Sequence, residues 1–301
     1  MVEVTIPASA ANLGPGFDVL GLALGLYNTI RMEEWGSGLS IRIYGEGALD
    51  LPADAGNEVF KAASRLFEEV DYKPRGLYIE TVNRIPLRRG LGSSAAAIVG
   101  GLMGANELAG GPLSKPEIFE MASRIEGHPD NVAAATFGGL TICYETDGGW
   151  KALPLRPSES LKALVLIPDE ELLTSESRAV LPLKVTHADA IFNISRVALL
   201  VGAILNGRTD ALPEATRDRL HQPYREPLIP GLDHFTAAIR ELLGVGVALS
   251  GAGPSIVCLI TEAQEEGIRE GLREIIKERR LKYRIQPMNI DQKGARVSNG
   301  R

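Results

Sequence analysis

The sequence predicts a protein of mixed helices and strands arranged in two domains. Strand-like alternation and helix-like periodicity interleave along the chain, and at residues 86–96 a glycine-rich turn joins a strand-like run to an apolar helix. Proline, serine and charged residues cluster at residues 154–160, which is typical of a domain boundary. The 301 residues, 45% of them hydrophobic, can fill the cores of one large or two modest domains. We therefore expect domains at residues 1–157 and 158–301.

Composition and charge exclude several classes of function. The net charge of −6 and the lack of a basic stripe in the sequence argue against a nucleic-acid partner. No apolar run reaches the roughly 20 residues that span a bilayer, and the first residues alternate like a strand, unlike a signal peptide. The two cysteines, Cys143 and Cys258, lie in apolar runs, and the four histidines lack the spacing of metal ligands. We expect a cytoplasmic protein with no membrane or nucleic-acid partner.

The first segment contains two candidate pocket residues. Strand-like alternation at residues 2–6 and 19–27 flanks a loop of small residues, glycine and proline. Asn12 and Asp18 are polar groups on this loop, as a substrate pocket needs, although a connecting turn explains the same composition. The next predicted elements are a strand at residues 39–44 and an amphipathic helix at residues 57–70.

The most informative segment is the turn at residues 86–96, which a strand at residues 77–82 precedes and a helix at residues 95–108 follows. Gly90 and Gly92 let the backbone adopt positive φ angles and let a ligand approach closely. The first amides of a helix have no intrahelical partner and lie at the positive end of its dipole, so such a turn binds phosphate. The candidate nucleotide-binding residues are Pro86, Leu87, Arg88, Arg89, Gly90, Leu91, Gly92, Ser93, Ser94, Ala95 and Ala96.

Four interpretations of this turn compete. It is not a Walker A loop, because no Gly-Lys-Ser/Thr follows at the required spacing. Gly90, Gly92 and Ala95 match the dinucleotide fingerprint, but a proline and two arginines separate them from the strand, and the nearest acid, Glu107, lies within the helix. A packing turn would also use glycines for close contact between helix and strand. Finally, the Pro-x-x-x-Gly-Leu-Gly-Ser-Ser-Ala pattern resembles the phosphate loop of the small-molecule kinases related to galactokinase, homoserine kinase and mevalonate kinase.

The following segment combines a helix with a cluster of polar groups. A capping-box pattern opens a helix at residues 114–125, and Glu120 lies opposite its apolar stripe. His128, Asp130 and Asn131 then follow closely, bounded by glycine, proline and a run of small residues. A helix cap explains Asp130 or Asn131 alone, but a capping carboxylate can also face a ligand.

The second half offers two arginines and a second glycine-rich segment. Thr174 and Arg178 share a helix face, where a hydroxyl beside a guanidinium suits a carboxylate or phosphate, although a solvated arginine is the commoner explanation. Arg225 lies on a proline-fixed turn, and residues 244–255 form either a hairpin or a backbone surface that closes over nucleotide phosphates. The other predicted elements are a strand at residues 163–167, helices at 188–205 and 262–278, a strand at 283–288 and a polar tail at 291–301 that is at best partly ordered.

Three separated motifs together resemble the homoserine kinases, a family of the GHMP small-molecule kinases. The motifs lie at residues 10–18, at residues 86–96 with residues 126–133 after them, and at residues 249–255. The phosphate loop and the glycine-rich end mark the superfamily, and the segments Asn-Leu-Gly-Pro-Gly-Phe-Asp and Gly-His-Pro-Asp-Asn-Val mark the family. The resemblance implies an α+β, two-domain GHMP kinase fold, with an N-terminal domain like the second domain of ribosomal protein S5 and a C-terminal ferredoxin-like domain.

The resemblance also implies an activity and its cofactors. The implied activity is ATP-dependent phosphorylation of L-homoserine in threonine biosynthesis. The implied cofactors are ATP and Mg²⁺, and the implied assembly is a homodimer. Residues 90–96 would hold the phosphates of ATP, and Ser94 and Glu120 would hold the magnesium ion. Glu120 ranks above Glu126 because it lies ten residues before Asp130, as the metal glutamate of the family does.

The same resemblance assigns the amino-acid pocket. Arg178 and Arg225 match the clamp on the substrate carboxylate, Asp130 suits the ammonium, and Asn131 would orient the hydroxyl. The residues leave open whether Asp130 is instead a general base. The predicted pocket residues are Asn12, Asp18, His128, Asp130, Asn131, Thr174, Arg178 and Arg225.

Three other functions compete with this one. A mevalonate or isoprenoid-precursor kinase would share the phosphate loop, but its substrate has no ammonium for an acid to bind. A non-catalytic nucleotide-dependent sensor would have lost metal or pocket residues, and Ser94, Glu120 and Asp130 are all in place. A dinucleotide enzyme is the fourth candidate. A zwitterionic alcohol needs an acid and one or two guanidiniums, which this chain supplies, and phosphoryl transfer needs mostly positioning and charge neutralisation.

Overall fold

The chain folds into two sheets with helices packed on them, as described by a computed structural model for residues 1–229 and 231–299. The strands are β1 (Val2–Ala11), β2 (Leu20–Glu34), β3 (Gly38–Gly45), β4 (Gly76–Asn83), β5 (Leu140–Thr146), β6 (Gly149–Leu155), β7 (Leu161–Pro168), β8 (Gly246–Leu249), β9 (Ile256–Thr261), β10 (Tyr283–Asn289) and β11 (Arg296–Asn299). The helices are α1 (Glu58–Glu69), α2 (Ser93–Leu108), α3 (Lys115–Glu126), α4 (Asp130–Phe137), α5 (Thr174–Ala179), α6 (His187–Asn206), α7 (Leu212–Ala215), α8 (Gln222–Arg225), α9 (Leu232–Leu243) and α10 (Glu265–Glu278).

The first sheet has the strand order β11-β1-β2-β4-β3, and β5 pairs with both β2 and β6. Its strands are antiparallel except for the parallel pair β3 and β4. Helix α2 packs against β1, β2 and α1, and most of its residues are buried because its sequence is small and apolar on every side. The central helix of this half therefore begins at the phosphate loop and runs through the core.

The second sheet is antiparallel, in the order β10-β7-β9-β8. Alternate residues of β7 join different cores, as the two-residue period of a strand requires: Ala163 and Val165 belong to the core that includes the first sheet, while Leu164 and Leu166 pack with α9 and α10. With β7 first and β10 last along the chain, this strand order is that of a ferredoxin-like split βαβ unit. The predicted two-domain α+β fold is confirmed.

Helix α6 departs from one expectation. By length and composition it could cross a membrane, so the prediction that no apolar segment reaches that length is wrong. Its polar side chains nevertheless bond to the rest of the second half. Asn193 Nδ2 donates to Asp218 Oδ1 at 2.7 Å, and Arg196 pairs with Glu214. These contacts are those of a surface helix in a folded domain; the cytoplasmic location and the lack of a membrane partner stay predictions.

The other departures concern elements that the sequence did not reveal. Strand β6, helix α9 and strand β11 were not predicted, and the expectation of a partly ordered tail is wrong for residues 291–299; residues 300–301 lie outside the described part. Asp291 is buried there and β11 pairs with β1 in register from Val2 to Thr5. The domain division after residue 157 stays a prediction, and a cut there would separate these two paired strands.

Candidate active site

The phosphate loop has the backbone geometry that its glycines predict. Gly90 and Gly92 have φ angles of 68° and 70°. A Cβ on Gly90 would lie 2.2 Å from the carbonyl oxygen of Ser250, and one on Gly92 would lie 2.0 Å from Ser9 Oγ. The loop thus depends on glycine both for its conformation and for its close approach to two neighbouring segments. It delivers the unpaired amides of the first turn of α2 to a cleft between the two sheets.

The two arginines of the loop tie it to the segment after β7. Arg89 donates from Nε to the carbonyl of Pro168 at 3.0 Å and from Nη2 to that of Asp169 at 2.7 Å. Arg88 and Arg89 each lie 3.3 Å from a carboxylate oxygen of Glu171. The phosphate loop is therefore held in place by backbone and side-chain oxygens of the second half.

The structure brings Glu126 to Ser94, and not Glu120. Ser94 Oγ donates to Glu126 Oε2 at 2.7 Å, whereas the Glu120 carboxylate pairs with Arg124 and lies beside Gly149 of β6. The two glutamates are six residues apart on α3, which turns them to different sides of the helix. The structure therefore places Glu126, and not the predicted Glu120, beside Ser94, and a metal role for Ser94 with either acid stays a prediction.

This pair fits a magnesium ion. Hydroxyl and carboxylate oxygens are hard ligands, and Mg²⁺ bound with a nucleotide takes only one or two protein carboxylates, completing its shell with phosphates and water. Within the described residues no three His, Cys, Asp or Glu side chains form a self-sufficient metal site. Burial raises the pKa of Glu126 above its usual range, and the Ser94 bond and the His128 charge act against that rise. A cation at this carboxylate would offset the cost of burying its charge.

His128, Asp130 and Asn131 are brought together at the start of α4. Asp130 is 2% exposed and its Oδ1 lies 3.3 Å from His128 Nδ1. Burial acts to lower the pKa of His128, but Asp130 and then Glu126 outweigh it, so that pKa is raised. Asn131 Oδ1 accepts a hydrogen bond from Ser9 Oγ at 2.9 Å. The cluster thus places a buried carboxylate and a fixed amide next to the phosphate loop.

Arg178 reaches this cleft from α5. Its guanidinium makes a bidentate pair with Asp18, with Nη2 to Oδ1 at 2.6 Å and Nη1 to Oδ2 at 3.0 Å. Thr174 lies one helical turn before it and also lines the cleft. Burial acts to lower the pKa of Arg178, but the contact with Asp18 raises it overall. Asp18 and Arg178, both predicted as pocket residues, therefore form an ion pair at the cleft, in which Asp18 positions Arg178.

Arg225 is the largest fully buried side chain among the described residues. Its Nη1 donates to the carbonyl of Gly251 at 3.0 Å and lies 2.9 Å from His221 Nδ1, while His221 Nε2 lies 2.7 Å from the carbonyl of Gly14. These contacts require a neutral His221 that donates from Nε2 and accepts at Nδ1. Burial lowers the pKa of His221 to about 4, and burial with the nearby Arg178 charge lowers that of Arg225 to about 10.

The glycine-rich end closes the cleft from the second sheet. Gly251 accepts hydrogen bonds at its carbonyl from Asn12 Nδ2 at 2.8 Å and from Arg225, and Ser250 Oγ donates to the carbonyl of Gly90 at 2.7 Å. The predicted residues that line the cleft are Asn12, Pro86, Arg88, Arg89, Gly90, Leu91, Gly92, Ser93, Ser94, His128, Asp130, Asn131, Thr174, Arg178 and Arg225. Ala95 and Ala96 are buried beneath it in the first turn of α2.

A second, larger cavity of about 900 Å³ adjoins the phosphate loop. Arg88, Ser93 and Ser94 line both spaces. Its walls combine aliphatic side chains with side-chain amides and a hydroxyl, which is the lining expected of a small-molecule site. The aliphatic wall residues include Leu49, Leu51, Pro52, Val59 and Leu87, and the polar ones include Asn57, Thr81 and Asn83.

Comparison with known proteins agrees with this geometry. The model of the GHMP kinases N terminal domain matches residues 57–139, and that of the GHMP kinases C terminal domain matches residues 200–278. The homoserine kinase of Desulfitobacterium hafniense is 41% identical over 297 residues, which cover 99% of this chain and 100% of that protein. The chain belongs to the homoserine kinases of the GHMP kinase family. The family resemblance of the three sequence motifs is thereby confirmed.

Solved structures of the homoserine kinase family and its wider relatives share the fold. The crystal structure of the homoserine kinase from Cytophaga hutchinsonii has a TM-score of 0.86 and 29% identity, and covers 99% of this chain and 97% of that one. A mevalonate kinase crystal structure has a TM-score of 0.69 at 16% identity, covering 97% of this chain and 99% of that one, which shows a common fold alone.

Sequence reasoning missed several residues of the homoserine kinase site. Glu126 carried a usable signal, because it lies between the predicted helix at residues 114–125 and the Gly-His-Pro-Asp segment. Ser9 and His221 carried none, since their roles come from contacts with Asn131 and Arg225, which are distant in sequence. Long-range side-chain contacts of this kind leave no local pattern.

Proposed function

We propose that this protein transfers the γ-phosphoryl group of ATP to the hydroxyl of L-homoserine, giving O-phospho-L-homoserine and ADP. One observation carries the proposal: the free amides of α2, an acid–hydroxyl pair and a set of opposed carboxylates and guanidiniums line a single cleft. The first two parts suit a metal-bound triphosphate, and the third suits a zwitterion. Membership of the homoserine kinases supports the same substrate.

The nucleotide would extend from the phosphate loop into the adjoining cavity. Triphosphate oxygens would accept hydrogen bonds from the amides of residues 90–94 and meet the positive end of the α2 dipole. The aliphatic walls around Leu51 and Leu87 would take the apolar faces of the base, and the polar groups of the same cavity would meet the base edges or the ribose. Because Ser93 and Ser94 line both spaces, base and phosphates can be bound at once.

Ser94 and Glu126 would hold the magnesium ion. When bound, the ion neutralises charge on the β- and γ-phosphate oxygens and orients the γ-phosphoryl group. The hydroxyl and carboxylate already lie 2.7 Å apart at the mouth of the phosphate loop. The chain would contribute two oxygen ligands there, and phosphates and water would supply the others.

Homoserine would bind on the other side of the phosphate loop. Its carboxylate would meet the guanidiniums of Arg178 and Arg225, which supply rigid N–H forks. Its ammonium would meet Asp130, whose burial makes an opposite charge favourable there. Asn131, held by Ser9 at 2.9 Å, would orient the hydroxyl toward the γ-phosphate. A mevalonate-type substrate lacks the ammonium and would bring no cation to the buried carboxylate of Asp130.

In the reaction the hydroxyl oxygen forms a bond to the γ-phosphorus while the bond from that phosphorus to the β,γ-bridging oxygen breaks. ADP leaves with the bridging oxygen, and the hydroxyl proton passes to the phosphoryl group or to solvent. The transition state is loose and needs little covalent help from the protein. With Asp130 engaged by the ammonium, alignment by Asn131 and charge neutralisation supply the catalysis.

A coupled ADP-release assay with L-homoserine and R-mevalonate tests the proposal. We expect MgATP-dependent ADP release with homoserine and none above background with mevalonate. The Asp130→Asn variant separates the two roles of this acid. Loss of homoserine affinity supports ammonium binding, whereas unchanged affinity with reduced turnover supports a general base. Release with mevalonate alone, or with neither alcohol, would overturn the homoserine assignment.

We further propose that the protein is a homodimer that buries the apolar face of α6. In α6, Ile191 and Ile194 are 66% and 68% exposed, and Leu199 is 41% exposed. Such a patch is typical of a protein contact, and a twofold axis would pack the same face against itself. Light scattering of the purified protein tests this assembly: a dimer mass supports it, and a monomer mass at assay concentrations contradicts it.

A further inference from the structure

Phe17 lies on the loop between β1 and β2 and belongs to neither hydrophobic core of the described chain. Its side chain is partly buried, and the centroid of its ring lies 5.3 Å from that of His221, with 30° between the two ring planes. Aromatic side chains mostly stabilise a protein by burying their area in a core or an interface. The position of this ring therefore needs another explanation.

Two guanidiniums lie against the ring of Phe17. The Cζ atoms of Arg178 and Arg225 each lie 5.5 Å from the ring centroid. This distance is within the roughly 6 Å over which the negative face of an aromatic ring attracts a cation. Both arginines line the active cleft, whereas Phe17 is not among the residues that line it. Phe17 can therefore act on a ligand in the cleft only through these arginines.

The two arginines need such a support because their charges repel each other. Burial and, after it, the charge of Arg178 lower the pKa of Arg225. Asp18 pairs with Arg178, whereas the neutral ring of His221 brings no negative charge to Arg225. Two guanidiniums against one carboxylate leave one positive charge, which a single substrate carboxylate would neutralise. The face of Phe17 offsets part of the repulsion without adding an anion that would compete with that carboxylate.

The loop that carries Phe17 is fixed by the side chain of Asn12. Asn12 Oδ1 accepts a hydrogen bond from the amide of Asp18 at 3.0 Å, and Asn12 Nδ2 donates to the carbonyl of Gly251 at 2.8 Å. The backbone directly after Phe17 is thereby tied to the glycine-rich end of the second half. A side chain that positions others needs a rigid support of this kind.

We propose that Phe17 is a positioning residue for the carboxylate end of the substrate. Its ring holds the guanidiniums of Arg178 and Arg225 near each other, so that both can meet one carboxylate. The inference rests on the proposed function and extends it: Phe17 contributes to the affinity for alcohols that carry a carboxylate, and not to the transfer step.

Steady-state kinetics with a graded set of side chains at position 17 tests the proposal. Phe17→Leu removes the aromatic face, Phe17→Tyr keeps it, and trifluorophenylalanine keeps the shape of the ring but withdraws electrons from its face. We expect the KM for L-homoserine to rise about 10-fold in Phe17→Leu and about 3-fold with the fluorinated ring, with kcat within about twofold, because the loss falls on binding alone. Phe17→Tyr should stay within about twofold of the wild type in both constants.

A second compound separates the carboxylate from the rest of the ligand. The alcohol 3-aminopropan-1-ol has the hydroxyl and the ammonium of homoserine without its carboxylate. Its kcat/KM, or its inhibition constant where turnover is too slow to measure, should agree within about twofold between wild type and Phe17→Leu, because the arginines have no carboxylate to bind. A general distortion of the cleft would weaken both compounds alike.

Phe192→Leu is the matched control. Phe192 in α6 also lies against two guanidiniums, with the Cζ atoms of Arg196 and Arg219 at 3.9 and 4.0 Å from its ring centroid. None of these three residues is among those that line the cleft, so the KM for homoserine should not change.

Three results would overturn the proposal: a fluorinated ring that leaves the KM unchanged, a Phe17→Leu protein that behaves like Phe192→Leu, or an equal loss of affinity for the two compounds. Failure of the proposed kinase function gives a different result, since the wild type would then release no ADP with homoserine. Failure of this inference leaves wild-type turnover intact.

Discussion

At the scale of single residues, the side of α3 on which an acid lies decides whether it can serve a metal ion. Glu126 accepts a hydrogen bond from Ser94, and Glu120 pairs with Arg124 on the same helix. We expect Glu126→Gln to lower kcat/KM roughly 100-fold and to raise the magnesium concentration needed for half-maximal activity, because a charged oxygen ligand is lost. Steady-state rates over a magnesium titration measure both effects.

Glu120→Gln is the matched control for that change. Its carboxylate is also on α3 but does not line the cleft, so its kcat/KM and magnesium dependence should stay within about twofold of the wild type. If Glu120→Gln were the variant with the magnesium defect, the assignment from the structure would be wrong and the spacing of the family motif would be the better guide.

His221 should make stability depend on pH. Its pKa falls from an ordinary 6.5 to about 4, chiefly because the ring is buried. The unfolded chain then binds a proton that the folded chain does not, so stability is fully present above pH 6.5 and is lost as the pH falls toward 4. The loss amounts to at most about 3 kcal/mol.

Urea unfolding at pH 7, 6, 5 and 4.5 measures this dependence. In His221→Gln the corresponding part of the decline should vanish, although the variant is less stable at pH 7 because it loses contacts to Gly14 and Arg225. His187→Gln, at an exposed position, should keep the wild-type profile. An unaltered decline in His221→Gln would assign the acid sensitivity to other groups.

The sequence identified most residues of the cleft, because they belong to short motifs with distinctive chemistry. The motif spacing favoured Glu120 over Glu126, whereas the structure pairs Ser94 with Glu126, because that contact depends on how α3 is rotated against α2. The sequence also could not show that Asp18 acts on Arg178, because their bidentate pair joins residues 160 positions apart. Short motifs show which residue types are present, whereas tertiary packing decides which side chains contact each other.

At the scale of elements, the glycines of α2 allow close packing of helices. A Cβ on Gly101 would lie 2.4 Å from the carbonyl oxygen of Val59 in α1, so backbone would have to move. We expect Gly101→Ala to destabilise the protein by about 1–3 kcal/mol, through overpacking that outweighs the gain in helix propensity. Thermal or urea unfolding measures the change.

Gly267→Ala in α10 is the control, since no atom of the described part of the chain lies within 4 Å of the added Cβ. There the same substitution should stabilise by about 0.5–1 kcal/mol, because alanine restricts the unfolded chain and favours the helix. Equal effects at the two positions would show that α1 and α2 do not pack as closely as described.

The elements that were predicted are determined by local sequence, whereas those that were missed are determined by tertiary contacts. Helix α1 has a strongly amphipathic sequence and a capping Asn57 that accepts from the amide of Val59 at 2.9 Å, so local pattern suffices. Strand β11 is short and polar, and only its pairing with β1 makes it a strand. A segment without its own hydrophobic period takes its secondary structure from the strand that it pairs with. Local sequence does not show that partner.

At the scale of the whole molecule, Asp291 joins distant parts of the chain. It accepts hydrogen bonds from Tyr27 Oη at 2.9 Å, from the amides of Lys293 and Gly294, and from Arg296 Nη1 at 2.9 Å. Burial acts to raise its pKa, but these donors lower it overall. We expect Asp291→Asn to destabilise by about 2 kcal/mol, less than for a fully buried pair because Arg296 is 37% exposed.

Urea unfolding across pH measures this effect and its sign. A lowered carboxyl pKa contributes stability above its ordinary value of 3.8, and that contribution is lost as the pH falls further. The gap between wild type and Asp291→Asn should therefore be widest near neutral pH and should close in acid. Asp147→Asn, in an exposed turn, is the control and should change stability by less than about 0.5 kcal/mol. A gap that widened in acid would contradict the role of the charge.

The pairing of β11 with β1 has a consequence for how the protein is made. Residues 296–299 leave the ribosome only after every strand of the second sheet. Until then one side of β1 exposes unsatisfied backbone groups that can template pairing with another nascent chain. Slow translation of the second half would lengthen that vulnerable interval, and a chaperone bound to this open edge would shorten the time during which aggregation can start.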